Sequence, residues 1–190
     1  MAIRDTIRRK LTYEDYLLFP EDGLRHEILD GEHYVTSAPS LWHQAASVNL
    51  TYFFVGFLRR NPLGRLFHAP CEVVLSEHDI VQPDLLFISK ERLDILTEKN
   101  VQGAPDLVIE ILSDSTSRRD KTLKRGIYER SGVLEYWLVD PQRRTVRICR
   151  RSGAGFVVAQ DLSAAAADVL TTPLLPGLEI PVGEIFEQTV

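Results

Sequence analysis

Ala104-Pro105-Asp106-Leu107-Val108-Ile109-Glu110-Ile111-Leu112-Ser113 is the stretch from which the rest of the chain can be read. Val108, Ile109, Ile111 and Leu112 form a β-branched and aliphatic run, short enough for a strand and apolar on both faces, the pattern of a central strand covered on both sides. Strand side chains alternate, so Glu110 points the same way as Val108 and Leu112, into a dry layer. A buried, unpaired carboxylate costs several kcal/mol, which predicts a partner for Glu110: a metal ion, a basic side chain or backbone donors.

Downstream, Ser113-Asp114-Ser115-Thr116-Ser117 reads as a polar turn, and Arg118 to Arg130 as a helix stopped near Gly132. Asp120, Lys124 and Tyr128 recur at steps of four and share one side of that helix. Tyr136 to Val139 is a second strand, turned by Pro141-Gln142-Arg143-Arg144 into Thr145-Val146-Arg147-Ile148-Cys149, whose arginines alternate outward. Gly153 and Gly155 punctuate a further hairpin toward Phe156-Val157-Val158. Ala164 to Ala167 is a weak helical patch. The segment from Leu174 to Phe186, with Pro176 and Pro181, is expected to wrap the core in extended pieces and a final turn.

Upstream, Thr12 caps a short helix that stops by Pro20. Arg25-His26-Glu27-Ile28-Leu29 and Glu32-His33-Tyr34-Val35 flank Asp30-Gly31, a two-residue hairpin signal, with Glu27 alternating with Leu29 on an inward face. Ser40 caps a helix running to about Arg60, along which Leu41, Ala45, Val48, Tyr52, Val55 and Leu58 recur at three- and four-residue steps. Arg65 to Leu75 reads as one or two strands around Pro70. Val81 to Ile88 reads as a strand opened by Pro83, with Asp84 at its start, and Glu91 to Leu96 as a short helix.

Composition bounds the possibilities. A chain of 190 residues, 44% hydrophobic and 26% charged, supports one well-cored domain spanning residues 1–190. No apolar run approaches the roughly 20 residues needed to span a bilayer. Met1 to Asp5 lacks a signal-peptide core, so no membrane association and a cytoplasmic location are expected. Cys71 and Cys149 stand alone, giving neither a disulfide framework nor a zinc knuckle. The net charge of −5 argues against indiscriminate binding of nucleic acid, though it leaves room for a local basic face.

Asp84 and Glu110 would supply oxygen ligands for a hard divalent cation if their strands are neighbours, and Lys124 could reach over the same site. Two carboxylates and a lysine suit phosphodiester hydrolysis: a metal makes hydroxide from water, and an ammonium positions the water or stabilises the charged transition state. Asp84 could equally be turn chemistry at a strand start, Glu110 a structural ion pair with an arginine, and Lys124 a solvated lysine. Glu27 could join the site or pair with Arg25. His43 could face the site or simply pack. Arg118, Arg119, Lys121, Lys124 and Arg125 make a basic cluster able to neutralise phosphates, and Arg143, Arg144, Arg147, Arg150 and Arg151 make another, which could also be a solvated hairpin.

Val81-Gln82-Pro83-Asp84, the stretch Ala104 to Ser113, Asp120 with Lys124 and Tyr128, and Glu135-Tyr136-Trp137-Leu138-Val139-Asp140-Pro141 together resemble the Uma family of endonucleases, a bacterial branch of the restriction-endonuclease-like PD-(D/E)XK superfamily. The likeness extends to His26-Glu27-Ile28-Leu29-Asp30-Gly31-Glu32, to His43 and to Leu174-Leu175-Pro176-Gly177-Leu178. It implies an α/β (α+β) fold with a mixed sheet flanked by helices and an N-terminal hairpin. It also implies a Mg²⁺- or Mn²⁺-dependent nuclease site of Asp84, Glu110 and a lysine, the Ile111 backbone carbonyl being a further ligand. Glu27 would join these catalytic residues, with His43, Asp120, Tyr128 and Ser113 around them. The superfamily pattern puts its lysine two residues after the acidic strand residue, where this chain has Leu112; the resemblance holds if Lys124 on the helix replaces it. The expected partner is DNA, cut by a homodimer. Two alternatives stay open: a nuclease-like module that binds nucleic acid or protein without cleaving, and a metal-dependent hydrolase of another phosphoester.

Overall fold

The computed structural model describes residues 9–153 and 155–187; Met1 to Asp5, read above for a signal core, lie outside the described residues. Helix α1 (Tyr13–Tyr16) is closed by a capping box in which Thr12 accepts from the Asp15 amide and Asp15 accepts from the Thr12 amide. A hairpin of β1 (Arg25–Leu29) and β2 (Glu32–Thr36) follows. Its turn residues, Asp30 and Gly31, both hold positive φ, 53° and 80°, as the favoured two-residue hairpin turn requires. Ser40 caps α2 (Leu41–Arg60) through the His43 amide.

Strands β3 (Gly64–His68), β4 (Val73–Ser76), β5 (Asp79–Val81) and β6 (Leu85–Ser89) come next. A 3₁₀ segment (Lys90–Ile95) leads to β7 (Val101–Gln102) and β8 (Leu107–Ile111). The helix expected after β8 is present as α3, a composite of an α turn (Ser117–Arg119), a π turn (Asp120–Lys124) and an α segment (Arg125–Ser131), ended by Gly132 in the left-handed region. Strands β9 (Glu135–Asp140), β10 (Thr145–Ser152) and β11 (Gly155–Ser163) precede a 3₁₀ turn (Ala164–Ala166), β12 (Val169–Thr171), β13 (Glu179–Pro181) and α4 (Val182–Ile185).

The expected mixed sheet has the order β11-β10-β9-β8-β6-β3, with β8 and β9 parallel and the remaining pairs antiparallel. The hairpin belongs to a second, five-stranded sheet, β2-β1-β5-β4-β7. Val81 to Ile88 is therefore not one strand. Val81 ends β5 in the second sheet, Leu85 begins β6 in the first, and Gln82-Pro83-Asp84 forms the crossing. Pro83 has no amide to give to either ladder, so the chain changes sheets there.

Side chains of β8 alternate between two cores. Leu107, Ile109 and Ile111 pack with Leu50, Phe54 and Phe57 of α2 and with the tail residues Ile180, Val182 and Ile185. Val108 and Leu112 pack with Ile127 and Tyr128 of α3 and with Leu29, Val73 and Val81 of the second sheet. One expectation is corrected on α2. Leu41, Val48 and Tyr52 of its predicted stripe are 79%, 64% and 74% exposed, and the packed face is Ala46, Leu50, Phe54 and Phe57 with His43. Asp, Glu, Lys and Arg are missing from Leu41 to Leu58, so periodicity has no polar face to point away from. The side that wins buries two phenylalanines, each worth about 1.5–3 kcal/mol, and leaves the Tyr52 hydroxyl in water.

Candidate active site

The crossing between the sheets, the end of β8 and the π turn of α3 meet in a cleft of about 630 Å³. Asp84 arrives because Leu85 pairs with Ile109 in the antiparallel β6–β8 register, which brings the residue before it alongside the end of β8. The Ile111 amide donates to Asp84 Oδ2 at 2.8 Å and His43 Nε2 lies 3.0 Å from the same oxygen. Arg25 Nη1 donates to Oδ1 at 2.9 Å. Burial alone would raise this carboxyl. The His43 hydrogen bond, the Arg25 and His43 charges and the Ile111 amide outweigh it and bring Asp84 down to about 2.

Glu110 is buried on the α3 side of the sheet. Its Oε1 accepts from Lys124 Nζ at 2.9 Å and from the Tyr128 hydroxyl at 2.7 Å; its Oε2 has no hydrogen-bond partner among the described residues. Burial and the charges of Asp84, Asp120 and Glu27 push Glu110 up to about 8 against the opposing pull of Lys124. Lys124 bridges two acids, with Glu27 Oε1 at 2.7 Å and Glu110 Oε1 at 2.9 Å. Burial disfavours its charge, but Glu110, Glu27 and Asp120 prevail and hold the ammonium above its ordinary range. Glu27 is kept in place by the Gln82 amide, 2.9 Å from Oε1, and its Oε2 stands 3.8 Å from Arg119.

Lys124 reaches these acids because α3 widens at Asp120–Lys124, where a π turn replaces the regular ladder. Such single turns recur at functional sites. Asp120 and Lys124, four residues apart on α3, are both buried, and Lys124 bonds Glu27 and Glu110. Asp120 keeps one buried oxygen, Oδ1, without a partner, and burial raises its carboxyl despite Lys124. Ser113 lines the cleft and meets the hydroxyls of Ser115 and Thr116.

Of the expected phosphate-binding cluster, Arg119 lines the cleft, donating to the Thr36 hydroxyl at 2.8 Å with its guanidinium over the Tyr34 ring. Arg118 and Lys121 are exposed outside the lining, and Arg125 faces away, donating to the Phe156 carbonyl. Four arginines of the second cluster are committed to structure, Arg143 to Asp140, Arg147 to Asp161, Arg150 to Glu135 and Arg151 to the Val133 and Glu129 carbonyls, while Arg144 is exposed. The residue not foreseen at the site is Arg25. Its signal was available in Glu27, two residues on, since β1 must turn both to one side.

The donor set can be tested against a metal. Among the described residues no group of three or more His, Cys, Asp and Glu side chains is arranged to hold an ion, which does not fit a closed zinc-type site. Magnesium keeps most of its waters and asks for one or two carboxylates. Asp84 and Glu110 in one cleft, with Glu110 Oε2 free of hydrogen bonds, fit that demand.

Two acids near the ends of interior strands of a mixed sheet, a helix-borne lysine bonded to one of them and helices on both sides describe a protein of restriction-endonuclease-like fold. A "putative nuclease belonging to DUF820" from Anabaena variabilis ATCC 29413 superimposes with a TM-score of 0.75 at 20% identity, covering 93% of this chain and 97% of the other. The type IIG restriction endonuclease BpuSI aligns at a TM-score of 0.41 and 14% identity, over 80% of this chain and 16% of its own, too loosely to build on. No curated protein matches. The family model Uma2, "Putative restriction endonuclease", matches residues 13–183, and the chain belongs to that family. Among the described residues no helix is long and apolar enough to cross a membrane.

Proposed function

We propose that this chain is a Mg²⁺- or Mn²⁺-dependent DNA endonuclease with Asp84, Glu110 and the Ile111 carbonyl as the ligands of the ion. The observation that carries the reading is the meeting of Asp84, Glu110 and Lys124, from a sheet crossing, a strand and a helix, in one cleft. A bound divalent ion supplies Lewis acidity at the phosphate and lowers the pKa of an attacking water. Lys124 is the cationic partner of the reaction. Its raised pKa keeps it protonated, so it orients water or neutralises developing charge on the phosphate and takes up no proton. Glu27 positions Lys124 from behind. Tyr128 fixes Glu110 by one oxygen and leaves the other for the cleft. His43 holds Asp84 in place, and Arg119 is a further guanidinium lining the cleft.

Nicking and linearisation of supercoiled plasmid in Mn²⁺ or Mg²⁺ tests the proposal. Glu110→Gln and Asp84→Asn should each lose about 10²-fold or more, the scale for removing a main charge-stabilising group. Activity equal to wild type in Glu110→Gln would remove the assignment. One observation favours a second reading, a nuclease-like module that binds nucleic acid without cutting: both Asp84 oxygens already have donors. That reading expects no carboxylate-dependent binding of Mn²⁺ by calorimetry.

The proposal includes a homodimer. The outer face of α2 carries Leu41, Val48 and Tyr52 in water with no charge among them, an unusual surface for a helix about 30 Å long. A second copy of the same face covers it without a mismatched charge, and Gln44, Ser47 and Val48 make it continuous with the cleft. Val48→Glu combined with Tyr52→Glu should shift the mass measured by light scattering from dimer to monomer.

A further inference from the structure

We propose that Arg25 is a displaceable counter-ion: its guanidinium neutralises Asp84 until a divalent cation arrives, then turns to hold the phosphodiester being cut. The inference rests on the reading of Asp84 as a ligand of that ion.

Asp84 is 3% exposed and has three donors, which differ in their freedom to leave. The Ile111 amide is fixed in the backbone of β8. His43 is buried in the first turn of α2, behind the Ser40 cap. Arg25 stands at the first residue of β1 with its side chain 20% exposed, and it lines the cleft. A guanidinium has five N–H groups. One of them, on Nη1, is engaged with Asp84 Oδ1, and none of the others is a buried atom lacking a partner, so they face water in the cleft.

The charges give the exchange its direction. Beyond the cost of burial, Asp84, Glu110 and Glu27 all hold the Arg25 charge in place. A divalent ion between Asp84 and Glu110 supplies that compensation itself and repels the guanidinium. Arg25 then has its planar fork of donors free at the mouth of the cleft, a geometry that matches two oxygens of a phosphate. Arg25 and the ion therefore compete for Asp84, while the ion and the phosphodiester assist one another. By linkage, each raises the affinity of the other by the same factor.

Two titrations test this. Mn²⁺ alone is titrated by calorimetry into wild type, Arg25→Ala, Arg25→Gln and Asp84→Asn. Arg25→Gln keeps a hydrogen-bond donor for Asp84 without the charge and serves if Arg25→Ala does not fold, as judged by thermal melting. Loss of the competitor should tighten Mn²⁺ binding about tenfold in the Arg25 variants, inside the usual range for coupled sites, and Asp84→Asn should abolish it. Loss of a positive charge beside the ion raises metal affinity by itself, so the duplex measurement separates displacement from simple charge relief. Separately, binding of a labelled 12-base-pair DNA duplex is followed by anisotropy with and without Ca²⁺. Wild type should gain affinity when Ca²⁺ is added, and the Arg25 variants should lose most of that gain. Mn²⁺ affinity in both Arg25 variants equal to or weaker than wild type, with Asp84→Asn still dead, overturns the displacement alone. Failure of Mn²⁺ to bind wild type overturns the metal reading of Asp84 and takes this inference with it.

Discussion

Glu110 and Glu135 stand on the neighbouring parallel strands β8 and β9, both sealed from water, and the protein treats them in opposite ways. Glu135 begins its strand, and every oxygen is used: Oε1 accepts from Arg150 at 2.7 Å, Oε2 from the Trp137 indole at 2.9 Å and the Thr172 hydroxyl at 3.0 Å. Glu110 lies next to the end of its strand and crowds two donors onto one oxygen, leaving the other bare toward a cleft that also holds Asp84. The first arrangement is a finished joint between β9, β10 and the C-terminal segment. The second remains short of positive charge, as expected of a site that awaits a ligand. Burial of a carboxylate thus says little about function; the incompleteness of its partners says more.

The largest expected divergence comes from removing the cation on each side. Lys124→Ala leaves Glu27 and Glu110 facing each other in the interior, and urea denaturation should show a loss of about 3–5 kcal/mol together with loss of cleavage. Arg150 is 35% exposed on its side chain and Glu135 retains Trp137 and Thr172, so Arg150→Ala should cost less, about 1–3 kcal/mol for the one oxygen left without a partner. Equal losses would mean that the two acids are both structural, and the contrast would fail.

Much of this contrast could be read in advance, and the parts that could not have physical causes. The apolar run around Glu110 is visible because a strand covered on both faces tolerates no other polar residue. The hairpin at Asp30-Gly31 and the cap at Ser40 follow from local backbone chemistry, which needs no tertiary information. The inward face of α2 was not legible, because a helix without charges until Arg59 offers no polar side to contrast with it. The π turn at Asp120–Lys124 has no sequence signature, yet it accompanies the burial of Lys124 against acids from two sheets. Lys124 was a candidate from its place on the helix, but only the family resemblance favoured it, since four-residue spacing alone suits a solvated helix face equally well. Arg25 entered only as a possible partner of Glu27, because its actual partner, Asp84, is 59 residues away across a change of sheets that the sequence had presented as one strand.

Proton linkage sharpens the comparison in the metal-free protein. Glu110, raised to about 8 from an ordinary value of 4.5, keeps its proton in the native state where the unfolded chain has already released it. Its contribution is complete below about pH 4.5 and is lost as pH rises through 8, so stability should fall across that window. Asp84, held near 2, has the opposite sign: its contribution is present above about 3.8 and lost as pH falls through 2. Thermal melts between pH 5 and 8 should therefore slope downward in wild type and flatten in Glu110→Gln. A divalent ion must displace the same proton, so the heat of Mn²⁺ binding near pH 7 should vary with the ionisation enthalpy of the buffer. A slope that survives in Glu110→Gln would assign the proton elsewhere.

The smallest test exchanges single hydroxyls. Tyr128→Phe removes one of two donors from Glu110 Oε1, and Thr172→Val removes one of two from Glu135 Oε2. Each should cost about 0.5–1.5 kcal/mol by melting, the usual net figure for an intramolecular hydrogen bond, so stability alone does not tell them apart. Their chemistry does. Without Tyr128, Glu110 is anchored by Lys124 alone and can rotate its free oxygen away from the cleft, so Mn²⁺ affinity and plasmid nicking should both drop in Tyr128→Phe. Thr172→Val should leave both at the wild-type level, because the acid it loosens is not part of the lining of this cleft. If the two variants lower nicking equally, Tyr128 supports the fold alone, and the bare oxygen of Glu110 loses its claim to be held ready for an ion.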